Sequence, residues 1–382
     1  MKTILVLATA GAGGDLQPLI TAALALRKRQ NRLVLLGDAS VTAAVRGLGF
    51  ETAVAPPESD LGPRLVATIK AGLGQDPAEQ GRRIEAMLEQ WSGELATSVR
   101  ALVRQHRPDM LLTSLFGVGI ARQAAAEAQL PWCVVNTTFY LGPHPPRELE
   151  RDFSARAVPL MRYFVSKLDT ASQVLHATDR VFDYNFANLP DRHHYVGPLI
   201  WEAPGPLPAY LSEPGKDWAL VTLSSLEQDD LPLGQAALDA LASQPLPVVL
   251  TIGHGHQPGD LQRVPANAHV EQYLPHTAVL ERSRLLVSHA GHGSVMKALW
   301  HGVPMVLVPW GRDQPGVAAR AEHLGVAVVV ERDQLSRETL SAAVQRVLAE
   351  PQFQAAAQQT AQRLRAQDPA SIACNWLEQA GA

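Results

Sequence analysis

Short apolar segments alternate with longer helical segments through most of this chain, and this alternation limits its possible folds more than any other feature. Helix-forming stretches such as Leu16–Arg29, which has Pro18 in its first turn, separate the apolar segments. The strand candidates of the first half are residues 4–8, 33–36, 110–113, 132–135 and 181–182. Such an alternation predicts a parallel sheet wrapped by helices.

A proline-rich stretch interrupts the alternation near the middle of the chain. Prolines stand at positions 198, 204, 206, 208 and 214, a density that suits neither a helix nor a sheet interior. The alternation then restarts, with strand candidates at residues 219–223, 248–252, 285–288, 305–308 and 326–330. The pattern predicts an α/β protein with a first domain (1–200), a linker (201–216), a second domain (217–365) and a C-terminal helix (366–382) that packs toward the first domain.

Composition excludes several classes of protein. The 382 residues carry a formal net charge of -4 and no long basic run, which argues against nucleic acid as a partner. Cys133 and Cys374 cannot form a CxxC metal site or a disulfide framework, so we expect a reduced, cytoplasmic setting. The apolar run 4–10 is short and soon interrupted by Gly13 and Gly14, which favours a buried strand over a signal peptide. No stretch approaches the roughly 18 apolar residues of a membrane span. For the oligomeric state, we expect a monomer or a homodimer.

The most informative segment runs from Leu285 to Ser294, with the sequence LLVSHAGHGS. A buried strand leads there into a glycine-rich turn, and a helix is predicted to begin at Ser294. Such a turn directs free backbone N–H groups and the positive end of the helix dipole at whatever lies above the strand end. Ser294 can cap the helix or donate its hydroxyl, and His289 supplies a further donor. The segment predicts a site for a phosphate or diphosphate.

Polar residues also follow the next predicted strand, because Asp313 and Gln314 come soon after Pro309 and Trp310. Ligands of open α/β sheets bind at the carboxyl ends of the strands. A tight turn with a core histidine would explain His289 alone. It does not explain polar groups at two neighbouring strand ends.

Together these motifs resemble the donor-binding signature of family 1 glycosyltransferases, the UDP- and TDP-sugar enzymes of GT-B architecture, in which two Rossmann-like domains face each other across a cleft. The resemblance is greatest to bacterial members that decorate natural products, and it is strongest over residues 270–330. It implies that Tyr273 and Leu274 contact the nucleotide base. It implies a diphosphate site that is formed by Ser224, Ser225, His289, Gly291, His292, Gly293 and Ser294. It also implies a donor-sugar site that is formed by Trp310, Asp313 and Gln314.

Two positions depart from the family pattern. Lys297 stands where many relatives carry a glutamate that contacts ribose, and Val317 stands where asparagine is common. Both differences bear on recognition of the donor hydroxyls and leave the predicted diphosphate site intact. For Ser224 and Ser225, a serine-rich turn without ligand contacts is an equally good interpretation.

The glycine-rich segment from Ala10 to Pro18 follows the first strand and opens the first helix. A dinucleotide-binding fingerprint requires a third glycine where Leu16 stands, so a nicotinamide site is disfavoured. The segment resembles the Gly-Asp-Val-Gln/Glu-Pro stretch of bacterial glycosyltransferases, which implies that Asp15 is the general base. Burial would raise the pKa of such a carboxyl group and suit it to accept a proton, whereas a helix N-cap is the simpler structural interpretation.

Other candidates also lie in the first half. The residues predicted to contact the acceptor are Gly14, Phe116, Asn136, Thr137, Phe139 and Tyr140. An aromatic cluster of this kind is as often part of a core. His106 and His144 are rival bases, but each lies in a loop-like setting beside a proline, which favours a solvated histidine.

The sequence therefore predicts an inverting glycosyltransferase that moves a sugar from a UDP- or TDP-sugar to a hydroxyl, or less commonly a carbon, of a small apolar acceptor such as a polyketide, flavonoid or other phenolic compound. No carboxylate cluster indicates a required metal, and no cofactor besides the nucleotide-sugar co-substrate is expected. A nucleotide-sugar epimerase of similar fold and a nucleotide-sugar-binding homologue that has lost transfer remain alternatives.

Overall fold

The chain divides into two compact units. The first unit contains Met1–Glu150, Ala155–Trp201 and Asp368–Ala382, and the second contains Arg151–Ser154 and Glu202–Gln367. The computed structural model describes residues 1–8, 13–72, 76–142, 152–155, 157–186, 189–203, 205–211, 218–225, 228–253 and 255–380. Part of the predicted linker, Pro204 and residues 212–216, lies outside the described residues.

The first unit is a parallel sheet with helices between its strands. Its described strands are β1 (Thr3–Leu7), β2 (Arg32–Gly37), β3 (Glu51–Val54), β4 (Met110–Ser114), β5 (Trp132–Asn136), β6 (Gln173–His176) and β7 (His193–Tyr195). The helices between them are α1 (Leu16–Lys28), α2 (Ala39–Ala44), α3 (Leu61–Ala71), α4 (Pro77–His106), α5 (Val118–Ala128) and α6 (Val158–Lys167). The strand order is β3-β2-β1-β4-β5-β6-β7.

The second unit repeats this arrangement. Its described strands are β8 (Trp218–Thr222), β9 (Val248–Thr251), β10 (Ala268–Glu271), β11 (Ser283–Ser288), β12 (Met305–Leu307) and β13 (Ala327–Val329). Its helices are α7 (Leu231–Leu241), α8 (His276–Leu280), α9 (His292–His301), α10 (Gln314–His323), α11 (Arg337–Ala349) and α12 (Pro351–Arg365). The strands are parallel in the order β10-β9-β8-β11-β12-β13.

Both sheets reverse their winding direction at one place. In the first unit the reversal lies between the neighbouring strands β1 and β4, and in the second it lies between β8 and β11. Connections leave such a strand pair in opposite directions and open a crevice at its carboxyl edge, where open α/β sheets bind ligands. The predicted α/β class with two parallel-sheet domains is confirmed.

The local sequence accounts for most of these elements. Strands such as β1, β4 and β8 are buried along nearly their whole length, because helices cover both faces of a parallel sheet. The Asp38 carboxylate accepts hydrogen bonds from the backbone N–H groups of Ser40 and Val41, which identifies Asp38 rather than Ser40 as the N-cap of α2. Gly302 ends α9 as predicted, with a φ of 68° in the left-handed region.

The last helix, α13 (Pro369–Ala380), belongs to the first unit although the chain reaches it from the second. It packs against α1, and its side chains Ala373, Cys374 and Leu377 join the buried core around β1. The His194 ring also stacks on the Trp376 ring, with centroids 3.5 Å apart. The helix thus closes the core of the first unit.

Two local predictions were wrong. Residues 181–182 form a turn rather than a strand, because Asp179 accepts a hydrogen bond from the N–H of Phe182 and the following Tyr184 and Asn185 adopt left-handed conformations. Helix α9 begins at His292, two residues before the predicted start at Ser294. The short strands β3, β6, β7 and β10 were not predicted, because polar residues interrupt them, whereas the equally short β9, β12 and β13 consist almost entirely of apolar residues.

Within the described ranges, we find no helix whose length and hydropathy would let it cross a membrane.

Replacing Leu377 with Ala should destabilise the first unit by about 2–5 kcal/mol, because the deleted atoms leave a cavity in a fully buried part of the core. Calorimetric or denaturant unfolding would measure the loss. Gln379→Ala, an exposed change on the same helix, is the control and should leave the unfolding free energy nearly unchanged. Equal effects of the two substitutions would contradict the docking of α13.

Candidate functional site

The turn between β11 and α9 lies at the carboxyl edge of the second sheet, beside the point where its winding reverses. Ala290 adopts a left-handed φ of 66°, which bends the chain sharply after the strand. Gly291 is the N-cap of α9, and its carbonyl accepts the hydrogen bond from the N–H of Val295 at 3.0 Å. The helix therefore starts immediately above the strand end.

The first turn of α9 presents hydrogen-bond donors and partial positive charge. The first N–H groups of a helix have no partner within it, and here they include those of Gly293 and Ser294. A Cβ atom placed on Gly293 would meet no atom within 4 Å, so the space beside this residue is open. The turn thus combines unpaired donors with room for an anion.

His289 is held in place by the residues around it. Its Nδ1 lies 3.4 Å from the carbonyl oxygen of Thr222, and a Cβ on Gly291 would lie only 2.5 Å from its Nε2. Burial lowers the pKa of the His289 imidazole, and the nearby Arg312 charge lowers it further, while the Asp230 carboxylate opposes this shift. The ring is thus a neutral donor or acceptor whose position requires a glycine at residue 291.

The loop after β8 supplies the other side of this crevice. Ser224 is buried, and its N–H donates to the Asp230 carboxylate at 2.7 Å, whereas Ser225 is exposed. Asp230 also accepts from the Gln228 amide and lies 3.4 Å from the His256 Nε2. A buried carboxylate therefore fixes the conformation of the serine loop.

The loop after β12 contains the three residues predicted to bind the donor sugar. The buried Gln314 side chain accepts from the N–H groups of Trp310 and Gly311, both at 2.8 Å, and donates to Gln228 at 3.1 Å. Its amide thus stabilises the loop through both acceptor positions of its oxygen and one of its two N–H donors, and its predicted contact with the sugar stays a prediction. Asp313 and Trp310 are only partly buried, and their predicted contacts with the sugar stay predictions.

The two predicted base-binding residues differ in exposure. Tyr273 is 46% exposed, whereas Leu274 is buried. Next to them, Glu202 accepts hydrogen bonds from the backbone N–H groups of His276 and Thr277, at 3.0 and 2.8 Å. The same carboxylate binds the Lys297 ammonium at 2.6 Å.

In the first unit, Asp15 occupies the matching position after β1. One carboxylate oxygen accepts a hydrogen bond from Thr137 at 2.6 Å and the other accepts one from Ser114. Asp15 stands at the N-cap position of α1, but its side chain makes no hydrogen bond to the start of the helix, so it does not cap the helix. Burial raises the pKa of Asp15 to about 6, although the hydrogen bonds from Ser114, Thr137 and nearby backbone oppose this rise. A carboxyl group with such a pKa can accept a proton near neutral pH.

The residues predicted to contact the acceptor separate into two groups. Gly14 is exposed and has open space where a Cβ would lie, and Phe116 is half-buried. Asn136, Phe139 and Tyr140 instead belong to the interior, because the Asn136 amide donates to the Phe139 carbonyl and the Tyr140 N–H donates to Asp183. Their contacts with an acceptor stay predictions.

The rival histidines do not replace Asp15. His106 ends α4 at the amino edge of the sheet, where its Nδ1 lies 3.1 Å from the Arg32 guanidinium and 3.9 Å from Glu51. It is therefore far along the strands from the carboxyl edge that holds Asp15. His144 and the segment 143–151 lie outside the described residues.

Four residues that shape these sites were not predicted from the sequence, namely Ser114, Glu202, Asp230 and Arg312. Ser114 could have been found, because it is polar and follows a predicted strand end. Glu202 and Arg312 act through residues that are distant in sequence, which one chain does not reveal. Thr137, predicted as an acceptor contact, donates its hydroxyl hydrogen bond to Asp15. Within the described ranges, no cluster of three or more His, Cys, Asp or Glu side chains could hold a metal ion.

Sequence comparisons match the second unit best. Residues 235–378 match the family described as Erythromycin biosynthesis protein CIII-like, C-terminal domain. A 4'-demethylrebeccamycin synthase of Lentzea aerocolonigenes is 32% identical over 219 residues, which are 56% of this chain and 51% of that relative. The chain thus spans about half the length of that curated relative.

Structural comparisons cover the whole chain. The calicheamicin glycosyltransferase CalG4 matches with a TM-score of 0.78 and 21% identity over 100% of this chain and 98% of its own. The glycosyltransferase VinC, solved in complex with DTDP, matches with a TM-score of 0.73 and 20% identity over 99% of both chains. The fold is therefore shared with these proteins, and the predicted GT-B architecture of two Rossmann-like domains is confirmed.

The first unit should lose stability as the pH falls from about 6.5 to about 4. Burial lowers the pKa of His193 to about 4 and that of His176 well below its usual range, so the unfolded chain binds more protons throughout this window. Asp15, with its raised pKa, opposes this trend in part. Melting temperatures at pH 7.5 and 5.0 would measure the loss, and His193→Gln should reduce it. A melting temperature independent of pH would contradict the neutral state of these histidines.

Proposed function

We propose that this chain, a relative of bacterial family 1 glycosyltransferases with the GT-B fold, transfers a sugar from a UDP- or TDP-sugar to a hydroxyl group of a small, largely apolar acceptor. The observation that carries the proposal is the turn after β11, where open space lies beside Gly293 at the positive end of α9. The names of two similar proteins, which refer to rebeccamycin and calicheamicin, support a natural product as the class of acceptor.

The proposed donor site stabilises the leaving group. When the bond between the anomeric carbon and the phosphate oxygen breaks, its electron pair stays on the nucleoside diphosphate, which gains negative charge. Donors that are already in place, namely the N–H groups of the first turn of α9, the Ser294 hydroxyl and His289, can stabilise this charge without reorganising. We propose that these groups perform the role without a metal ion.

The proposed acceptor step uses Asp15. The acceptor oxygen forms its bond to the anomeric carbon on the face opposite the departing diphosphate, which inverts the configuration there. The hydroxyl proton passes to the Asp15 carboxylate. Ser114 and Thr137 support this role, because their hydrogen bonds hold the carboxylate oxygens in fixed positions.

Replacing Asp15 with Asn should lower turnover by about 10²–10⁴-fold, because an amide cannot accept the proton. The neighbouring Ser114 and Thr137 hydroxyls can rotate to accept from the new amide, so the fold should tolerate the change. Release of nucleoside diphosphate in the presence of acceptor would measure turnover, and calorimetry would show unchanged nucleotide affinity. In the unaltered protein, kcat/KM should fall on the acid side with an apparent pKa of about 6, and full activity of Asp15→Asn would remove Asp15 from the reaction.

Gly293→Ala should weaken nucleoside diphosphate binding at least about tenfold, or ~1.4 kcal/mol, because the new methyl group would enter the space proposed for the phosphates. Apart from the adjacent residues and the backbone of α9 itself, no protein atom lies within 4 Å of this methyl position, so the fold should be unaffected. Gly259→Ala, which also meets only open space, is the matched control.

The rise in melting temperature with UDP, TDP and their sugars measures this binding and also identifies the preferred base. The same rise in Gly293→Ala as in the unaltered protein would contradict the assignment of the turn. Release of nucleoside diphosphate without acceptor, or conversion of the donor into another sugar, would instead indicate one of the alternative functions.

A further inference from the structure

Arg312 lies in the loop after β12, and none of the ligand contacts proposed above involves it. Its guanidinium Nη1 is 3.4 Å from the Ser224 hydroxyl, in the loop after β8. Its charge also acts on His289, in the turn after β11, and the Asp230 and Asp313 carboxylates act on it in return. The guanidinium therefore lies where the carboxyl ends of three strands of the second sheet meet.

The backbone of Arg312 is held in an unusual conformation. Its φ of 54° is in the left-handed region, which side chains other than glycine rarely adopt. Ser154 holds it there, because the Ser154 N–H donates to the Arg312 carbonyl at 2.8 Å and the Ser154 hydroxyl accepts from the Arg312 N–H at 2.9 Å. Strained conformations that the surrounding structure enforces are concentrated at functional sites.

The short segment that contains Ser154 is itself firmly anchored in the second unit. Two residues before it, Asp152 forms a buried ion pair with Arg320 of α10 at 3.1 Å. Both side chains are almost fully enclosed, with exposures of 3% and 0%. This ion pair keeps Ser154, with its two hydrogen bonds to the Arg312 backbone, at a fixed position.

We propose that Arg312 binds the diphosphate of the donor directly, and that Ser154 is the positioning residue that aims its guanidinium. The proposal rests on the function proposed above, since it names a further residue that binds the diphosphate in the same site. A guanidinium can bind two phosphate oxygens at once through its parallel N–H groups. A diphosphate placed over the first turn of α9 would bring its negative charge between that turn and Arg312.

The electrostatics of this crevice support an anionic occupant. Burial lowers the pKa of Arg312, and its charge contributes to the lowered pKa of His289. A buried guanidinium beside the positive end of a helix gains more from a ligand with several negative charges than an exposed one does. The carboxylates of Asp230 and Asp313 already balance part of this charge, which keeps the guanidinium charged before the donor binds.

The affinity of Arg312→Gln for UDP or TDP should fall at least about tenfold, while its affinity for uridine or thymidine should stay unchanged. The diagnostic quantity is the ratio between diphosphate and nucleoside affinities, measured by calorimetry. Arg312→Lys should recover part of the loss, because it keeps the charge but not the planar fork. Arg284→Gln removes an exposed cation from β11 in the same unit and is the matched control.

Two outcomes separate this proposal from the proposed function. If the unaltered protein binds no nucleoside diphosphate, the proposed function fails. If it binds one and Arg312→Gln binds it equally well, the role of Arg312 is overturned. Should Arg312→Gln not fold, Arg312→Lys decides, because a loss confined to the diphosphate supports the proposal and an unchanged ratio overturns it.

The positioning role of Ser154 needs a separate test. In the otherwise unaltered protein, Ser154→Ala should reduce the ratio of nucleoside diphosphate affinity to nucleoside affinity. Added to Arg312→Gln it should cause no further reduction, because its effect passes through the guanidinium. Ser154→Thr, which keeps the hydroxyl, should restore the ratio. Additive losses in the double variant, or no rescue by threonine, would overturn this role.

Discussion

The placement of strand ends is the constraint on which both candidate sites depend. In each unit the chain winds outward from one central strand pair, β1 with β4 and β8 with β11, so the loops that follow these strands diverge at the carboxyl edge. Residues in those loops come from distant parts of the sequence and yet meet in one crevice. In the first unit this topology brings Asp15, after β1, to the same edge as Ser114, at the end of β4. In the second unit it does the same for Ser224, after β8, and His289, after β11.

Burial then determines the chemical character of each site. The same loss of water raises the pKa of the Asp15 carboxyl group and lowers the pKa of His289 and Arg312. Both effects favour the neutral form of a group that is charged in water. A carboxyl group near its pKa can accept a proton, and a crevice with destabilised cationic groups favours an anion. Acid–base chemistry and anion binding thus have one physical cause here.

The ion pair between Lys297 and Glu202 shows how a departure from the family pattern is accommodated. Lys297 is buried on α9, the helix whose first turn forms the candidate diphosphate site, and Glu202 neutralises its charge at 2.6 Å. Glu202 also accepts hydrogen bonds from the first N–H groups of α8, directly after Tyr273 and Leu274. One carboxylate therefore joins the predicted base-binding turn to the helix that carries the predicted diphosphate site. Val317, the other departure, is fully buried and contributes only to packing.

The sequence by itself determined the fold class, most of the longer strands and the glycine-rich turn at residues 289–294. These features are local, because continuous apolar runs, glycines and helix-forming segments limit the backbone wherever they occur. It did not determine that Asn136 and Tyr140 are interior or that Arg312 joins three strand ends. Those facts depend on partners far away in the chain, such as His176, Asp183 and Ser154, and only the tertiary structure brings such partners into contact.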